Sequence, residues 1–237
     1  MTGKQPSSKI GVVSALLART QQDAPPPAET YPRLRCRGRG GRHADRPLRR
    51  RVASSAVSVK VTLRPYTAAD VERVEAEFST EEGVTPLQWF GYRAGIQVAR
   101  REFAETGFLT DESGRLTIEA DDDWAGRVAW SKRQWGPPES WCWQFGILIR
   151  ATWRGRGVGT EAQRLLVDYL FAHTHAQRVE ACTDVTNLSE QRSLEKAGFV
   201  REGVLRAAQW RGGEWNDQVM YSRLRTDPPA SDPADGR

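Results

Sequence analysis

A glycine-rich turn between a strand and an amphipathic helix constrains this chain more than any other feature. Phe145-Gly146-Ile147-Leu148-Ile149 is a branched, apolar run of strand length. Beyond it, Ala162, Leu165, Leu166, Tyr169 and Leu170 recur at i, i+3, i+4, i+7 and i+8, forming one apolar helix face. Between the two lies Arg154-Gly155-Arg156-Gly157-Val158-Gly159, followed by Thr160. Such a turn aims backbone N–H groups from the positive end of a helix, a ready cradle for a phosphate or pyrophosphate. A plain tight turn explains one glycine but not three. The junction therefore predicts a phosphorylated cofactor.

The rest of the chain supplies the frame. Val59, Val61 and Leu63 alternate with polar residues as a half-buried strand. Thr67 and Asp70 have capping-box spacing for a helix through Phe78. A second helix is expected from Thr85, with Pro86 at its first position and Gln88 three residues after the cap. Strands follow around Leu116–Ala120, around Val128 to Trp135, and over Trp141–Ile149, the last pair turned by Gly136-Pro137-Pro138. After the amphipathic helix come a strand at Arg178–Thr183 and a helix from Asn187 to Ala197 closed by Gly198. Two strands, Phe199–Trp210 and Trp215–Leu224, are joined through Gly212-Gly213. Only the strand–glycine loop–helix–strand connection demands parallel neighbours. The order predicts an α+β fold: a mixed, mostly antiparallel sheet flanked by helices.

Charge is divided unevenly along the chain. Residues 1–57 hold 12 Lys/Arg against 3 Asp/Glu, whereas the remainder holds 23 against 27. The expectation is a disordered basic extension over 1–57, a folded domain over 58–226 and a disordered tail over 227–237. No aromatic interleaves the arginines of the extension, which speaks against a nucleic-acid partner. Ile10–Ala18 resembles the apolar core of a signal peptide, but it is short and no small-x-small cleavage site follows. No stretch approaches the roughly 18 apolar residues of a membrane span. Cys36, Cys142 and Cys182 form no paired framework, and His173 and His175 lie on different helix faces. A reduced, cytoplasmic protein without a metal is expected.

Three cofactor loops compete for the glycine turn. A nucleotide P-loop requires G-x-x-x-x-G-K-S/T, and no Lys follows Gly159. A dinucleotide fingerprint requires G-x-G-x-x-G, with an acidic residue about twenty positions later. Glu180 has that distance, but the spacing is G-x-G-x-G and no βαβ repeat precedes it. The third is Q/R-x-x-G-x-G/A, which Arg154, Gly157 and Gly159 match. With the later segment Asn187-Leu-Ser-Glu190-Gln-Arg-Ser-Leu194-Glu195-Lys196-Ala-Gly198-Phe199, the chain resembles the GNAT superfamily of N-acetyltransferases. The resemblance runs from about Val59 to Arg225 and is strongest to the subgroup of ribosomal-protein N-terminal acetyltransferases.

The resemblance implies an acyl-CoA N-acyltransferase-like fold and acetyl-CoA as acetyl donor, passed to a primary amine of a small molecule or a protein N-terminus. It implies that Gly155, Gly157, Val158, Gly159 and Thr160 hold the pyrophosphate, with Arg154 and Arg156 as candidate phosphate partners. Main-chain groups of Ile147, Leu148 and Ile149 would meet the pantetheine arm and the thioester. Asn187 matches a position that touches that arm, and is also a good helix cap. Where the pattern carries Ser, this chain has Glu190, the candidate proton-transfer residue, although capping also accounts for a Glu there. Trp89, Phe90, Tyr92, Trp141, Trp143, Trp210 and Trp215 are candidates for an acceptor wall. No membrane is implied, and a homodimer is allowed. The alternative reading is a non-catalytic acetyl-CoA-binding module of the same fold.

Overall fold

The computed structural model describes residues 59–78, 83–91 and 96–229. The basic extension, the apolar run Ile10–Ala18, Cys36, Tyr92 and the tail from 230 onward lie outside the described residues. The elements follow in the order β1 (Val61–Arg64), α1 (Ala68–Phe78), α2 (Ile96–Thr106), β2 (Ser113–Ala120), β3 (Asp123–Gln134), β4 (Trp141–Ile149), α3 (Val158–His173), β5 (Arg178–Asp184), α4 (Leu188–Lys196), β6 (Val200–Arg211) and β7 (Glu214–Leu224). Single 3₁₀ turns sit at Pro86–Gln88 and Ala151–Trp153. One sheet runs β1-β2-β3-β4-β5-β7-β6. Its β4–β5 pair is parallel and the other five pairs are antiparallel.

Strand alternation divides the sheet into two unlike faces. Val61 and Leu63, Leu116 and Ile118, Val128 and Trp130, Phe145, Val179 and Ala181, and Val219 and Tyr221 point one way. Ala162, Leu165, Leu166 and Leu170 of α3 and Leu194 of α4 cover them, forming the main core. The opposite face is polar. It carries Arg64, Arg115, Thr117, Arg127, Gln144, Glu180, Cys182, Asp184 and Gln218, and is roofed in part by α1 and α2. A smaller cluster of Tyr66, Val71, Val74, Phe108 and Trp124 packs beneath that roof.

Local signals explain most boundaries. The Thr67 hydroxyl accepts from the Asp70 N–H at 3.3 Å while the Thr67 N–H donates to Asp70 Oδ2 at 2.8 Å, a complete capping box. Asp121 and Asp122, at φ 49° and 64°, turn β2 into β3, and Gly212 and Gly213, at 61° and 86°, turn β6 into β7. Both turns have the left-handed pair that suits the strand twist. The expected helix from Thr85 is corrected. Only the turn Pro86–Gln88 forms there, Trp89 is extended and Gly91 has φ 77°, so α2 begins at Ile96. The Gln88 side chain accepts from the Thr85 hydroxyl at 3.4 Å and donates across to the Ile147 carbonyl of β4.

Candidate active site

The parallel β4–β5 ladder is short. Trp143, Gln144 and Phe145 pair with Val179, Glu180 and Ala181, and beyond Phe145 and Ala181 the strands part. A cavity of about 1030 Å³ opens at that split. Gly146, Ile147 and Leu148 line one edge, Cys182, Thr183 and Asp184 the other, with Asn187 and Glu190 of α4 beside them. A volume of this order accommodates a drug-sized or cofactor-sized molecule.

Backbone direction distinguishes the three β4 positions. The Ile147 carbonyl accepts from Gln88 Nε2 at 3.0 Å, so the main-chain groups of Ile147 face the gap. The Ile149 carbonyl accepts from Arg154 Nε at 2.9 Å and faces the same way. The intervening Leu148 lies opposite Arg127 in the β3–β4 ladder. Its main-chain groups therefore point into that ladder, and it lines the cavity with its side chain. Ile147 is the first β4 residue past the last paired position with an N–H toward the gap.

Positive φ accounts for two of the three loop glycines. Gly155 has φ 72° and Gly157 has φ 81°, and a Cβ on either would meet nothing within 4 Å. Their requirement is conformational, and the space around them is open. Gly159 is helical, and a Cβ there would only touch Ile149 Cγ1 at 3.6 Å and Ser193 Oγ at 3.7 Å. The N-cap of α3 is Gly157 and no side chain caps it. The first-turn N–H groups of Val158, Gly159 and Thr160 are thus left to another partner. An uncapped helix start beside open space fits a diphosphate. Arg154 braces the loop against β4 through its Nε, and the exposed Arg156 guanidinium lies 5.2 Å from the Trp153 ring centre.

Helix α4 begins differently. Asn187 Oδ1 accepts from the Glu190 N–H at 3.3 Å, satisfying that end internally. The Glu190 carboxyl does not complete the capping box, because the Asn187 N–H donates to the Asp184 carbonyl. Instead Glu190 turns to α3, where the fully buried Gln163 donates from Nε2 to its Oε1 at 2.7 Å. Ser193 Oγ donates to Gln163 Oε1 at 3.4 Å, and Thr160 and Ser193 hydroxyls share a 2.9 Å bond. A hydrogen-bonded row therefore links the glycine loop to Glu190. Burial pushes the Glu190 carboxyl up to about 7, against the opposing bond from Gln163. A carboxyl poised there can accept or release a proton near neutral pH.

Nearby Asp184 behaves oppositely. Burial acts to raise its carboxyl, but hydrogen bonds from Thr186 and Arg211 outweigh it and hold the group below the usual carboxylate range. Arg211 Nη2 reaches Asp184 Oδ2 at 2.5 Å while Nη1 donates to the Leu87 carbonyl at 3.1 Å. This one guanidinium ties the β6–β7 hairpin to β5 and to the 3₁₀ turn on the far side of the cavity.

The expected aromatic wall is largely absent from the cavity. Trp89 and Phe90 line it. Trp143 is core, Trp141 packs beside it, and Trp210 and Trp215 meet edge to face in the open at 55% and 62% exposure. Glu180 is buried on the polar face among Arg178, Arg133 and the Trp135 indole. Gln88, Gln163 and Arg211 were not legible as site residues. Each acts through a partner 27 or more residues away.

The family model for an acetyltransferase (GNAT) domain matches residues 60–200. The chain belongs to the GNAT acetyltransferase family. It is 39% identical over 83 residues to a probable N-acetyltransferase, YjcK, of Bacillus subtilis, covering 35% of this chain and 46% of the relative. The chain spans about half the length of the curated relatives it matches first. Its fold is that of Mycobacterium smegmatis RimJ, solved with CoA-disulfide, at a TM-score of 0.60 and 19% identity over 73% of this chain and 87% of that one. Spermidine N-acetyltransferase from Vibrio cholerae, solved with CoA and spermine, is similar at 0.61 and 17% identity, over 70% and 96%. No group of His, Cys, Asp and Glu suited to a metal occurs among the described residues, and no helix there is long and apolar enough to cross a membrane.

Proposed function

We propose that this chain is an acetyl-CoA-dependent N-acetyltransferase that acetylates a primary amine of a small molecule or a protein N-terminus. The observation that carries the reading is the split of β4 from β5, with an uncapped glycine-loop helix on one side and a near-neutral carboxyl on the other. Val158, Gly159 and Thr160 would hold the diphosphate through their N–H groups, on a loop whose shape Gly155 and Gly157 permit and Arg154 braces. Arg156 adds positive charge on that loop. The Ile147 N–H supplies a hydrogen-bond donor to the acyl oxygen, and Asn187 borders the path of the arm. Bound acetyl-CoA contributes an activated acyl group.

Glu190 is the proton-transfer residue in this scheme. As carboxylate it takes the proton that the acceptor nitrogen must lose, and as carboxylic acid it returns that proton at the leaving sulfur. Positioning it through Gln163, Ser193 and Thr160 couples its orientation to the same helix start that holds the diphosphate. Free Cys142 and Cys182 support a cytoplasmic setting, and a homodimer is compatible with the scheme.

The test is calorimetric titration with acetyl-CoA, followed by thiol release over a panel of amines and peptides scored by mass spectrometry. Saturable binding together with acetylated product is expected. Absence of heat at millimolar acetyl-CoA overturns the reading. Binding without thiol release favours a non-catalytic acetyl-CoA-binding module.

A further inference from the structure

Arg127 stands apart from the other arginines of the polar face. Arg64 pairs with Asp70 and Glu119, Arg115 with both oxygens of Glu102 at 2.8 Å, and Arg211 with Asp184. Arg127 enters no ion pair and no side-chain hydrogen bond among the described residues. Its Nε is shut off from solvent without a partner, as are the Tyr66 hydroxyl and the Thr117 hydroxyl. These orphaned atoms occupy one corner. Thr117 is the cross-strand neighbour of Arg127, and the Arg127 charge acts on Tyr66. Tyr66 and Arg127 both line the cavity, and Tyr66 is only 3% exposed.

Leaving a guanidinium Nε and a phenol hydroxyl buried without partners is costly. Burial, with the nearby Arg115 charge, pulls Arg127 below its ordinary range against the opposing Glu75 charge, and burial pushes Tyr66 up to about 12 against the charges of Arg127 and Arg115. Glu75 lines the same cavity and its charge acts on both. Arg115 is already paired with Glu102, so beside the Glu75 carboxyl the corner presents a guanidinium with no hydrogen-bond partner and a hydroxyl next to it. That set matches a carboxylate, which a guanidinium grips in a planar fork. Arg127 lies opposite Leu148 on β4, next to the Ile147 N–H that faces the split. Asp184 and Glu190 lie across the cavity, where an amine would sit.

Resting on the acetyltransferase reading above, we infer that the acceptor carries a carboxylate beside its amine, as an amino acid or short peptide does, and that Arg127 with Tyr66 holds that carboxylate. A polyamine would place a cation against the unpaired guanidinium, which like-charge repulsion opposes.

Calorimetry on the full chain, with and without CoA, tests this on two matched pairs: L-phenylalanine against 2-phenylethylamine, and glycyl-phenylalanine against its C-terminal amide. For at least one pair the carboxylate member should bind about tenfold tighter, equivalent to about 1.4 kcal/mol. Which pair responds separates free amino acids from peptides. Arg127→Gln should bring the ratio to about one, and Arg127→Lys should restore part of it, with the CoA affinity of each variant unchanged. Tyr66→Phe, which keeps the ring against Phe108, should lower the ratio if Arg127→Gln does not fold. Equal binding within both pairs, no binding by either carboxylate member, or discrimination that survives Arg127→Gln overturns the inference. Loss of CoA binding by the parent chain instead strikes the acetyltransferase reading, and the titrations without CoA still report on Arg127.

Discussion

The two faces of the central sheet are built from alternate residues of the same strands, yet they obey different rules. On β4, Phe145, Ile147 and Ile149 turn their side chains to α3 and the main core, while Gly146 and Leu148 turn to the cavity. The core face spends its residues on close packing. The cavity face keeps an unpaired Arg127 that a stability-only design would remove, and the helices bordering the split add a Glu190 forced toward neutrality and a helix start with no cap. Local rules broken without internal compensation mark places where something outside the chain is meant to bind.

Substitutions on the two faces should therefore fail in different ways. The largest effect is expected for Glu190→Gln, which removes the titrating group but keeps the bond from Gln163 within reach. Turnover should fall by about 10²–10⁴-fold, and the limb of the pH–rate profile near 7 should vanish. A variant with wild-type turnover would remove Glu190 from the chemistry. The same variant sharpens the comparison through stability. Because the folded carboxyl is raised from 4.5 to about 7, the protonated form is favoured in the fold. Stability is thus fullest below about 4.5 and declines as pH rises through about 7. Glu190→Gln should flatten that decline in denaturant titrations.

On the core face, Leu166→Ala should cost about 2–5 kcal/mol of unfolding free energy, since Leu166 is fully buried beneath the sheet. The acetyl-CoA KM of the folded fraction should stay unchanged. A large KM shift would show that the faces are not independent. Gly157→Val forces a β-branched residue to φ 81°, a strain of about 1–3 kcal/mol. That strain should weaken acetyl-CoA by about ten- to a hundredfold and lower Tm by several degrees; equal kinetics would take the loop out of the binding site. Asn187→Ala should be mildest, losing about 1 kcal/mol of stability with the cap. If acetyl-CoA affinity also falls, Asn187 serves both faces.

How much of this was legible beforehand follows from the range of each interaction. The capping box at Thr67, the cap at Asn187, the stop at Gly198 and the positive φ of Gly155 and Gly157 are properties of three or four consecutive residues, and they were readable. The glycine loop and the Asn187–Phe199 segment carried the family in the same way. The start of α2 was misplaced because Thr85, Pro86 and Gln88 satisfy a local rule that the Gln88 bond to Ile147 overrides from 59 residues away. The aromatic wall failed for a related reason. Composition gives the number of tryptophans, whereas only strand register decides that Trp143 turns inward and Trp210 outward.

By itself, then, the amino-acid order determined the succession of elements, the single parallel junction and a glycine-rich helix start with no side-chain cap, because short-range sterics and hydrogen bonding decide these. Tertiary structure alone decided the chemical state of the site. Glu190 is raised because the folded chain buries it against Gln163 of another helix, and Arg127 is unpaired because the fold sets no carboxylate of the described residues in hydrogen-bonding contact with it. Desolvation and charge pairing depend on neighbours that only the completed fold assembles.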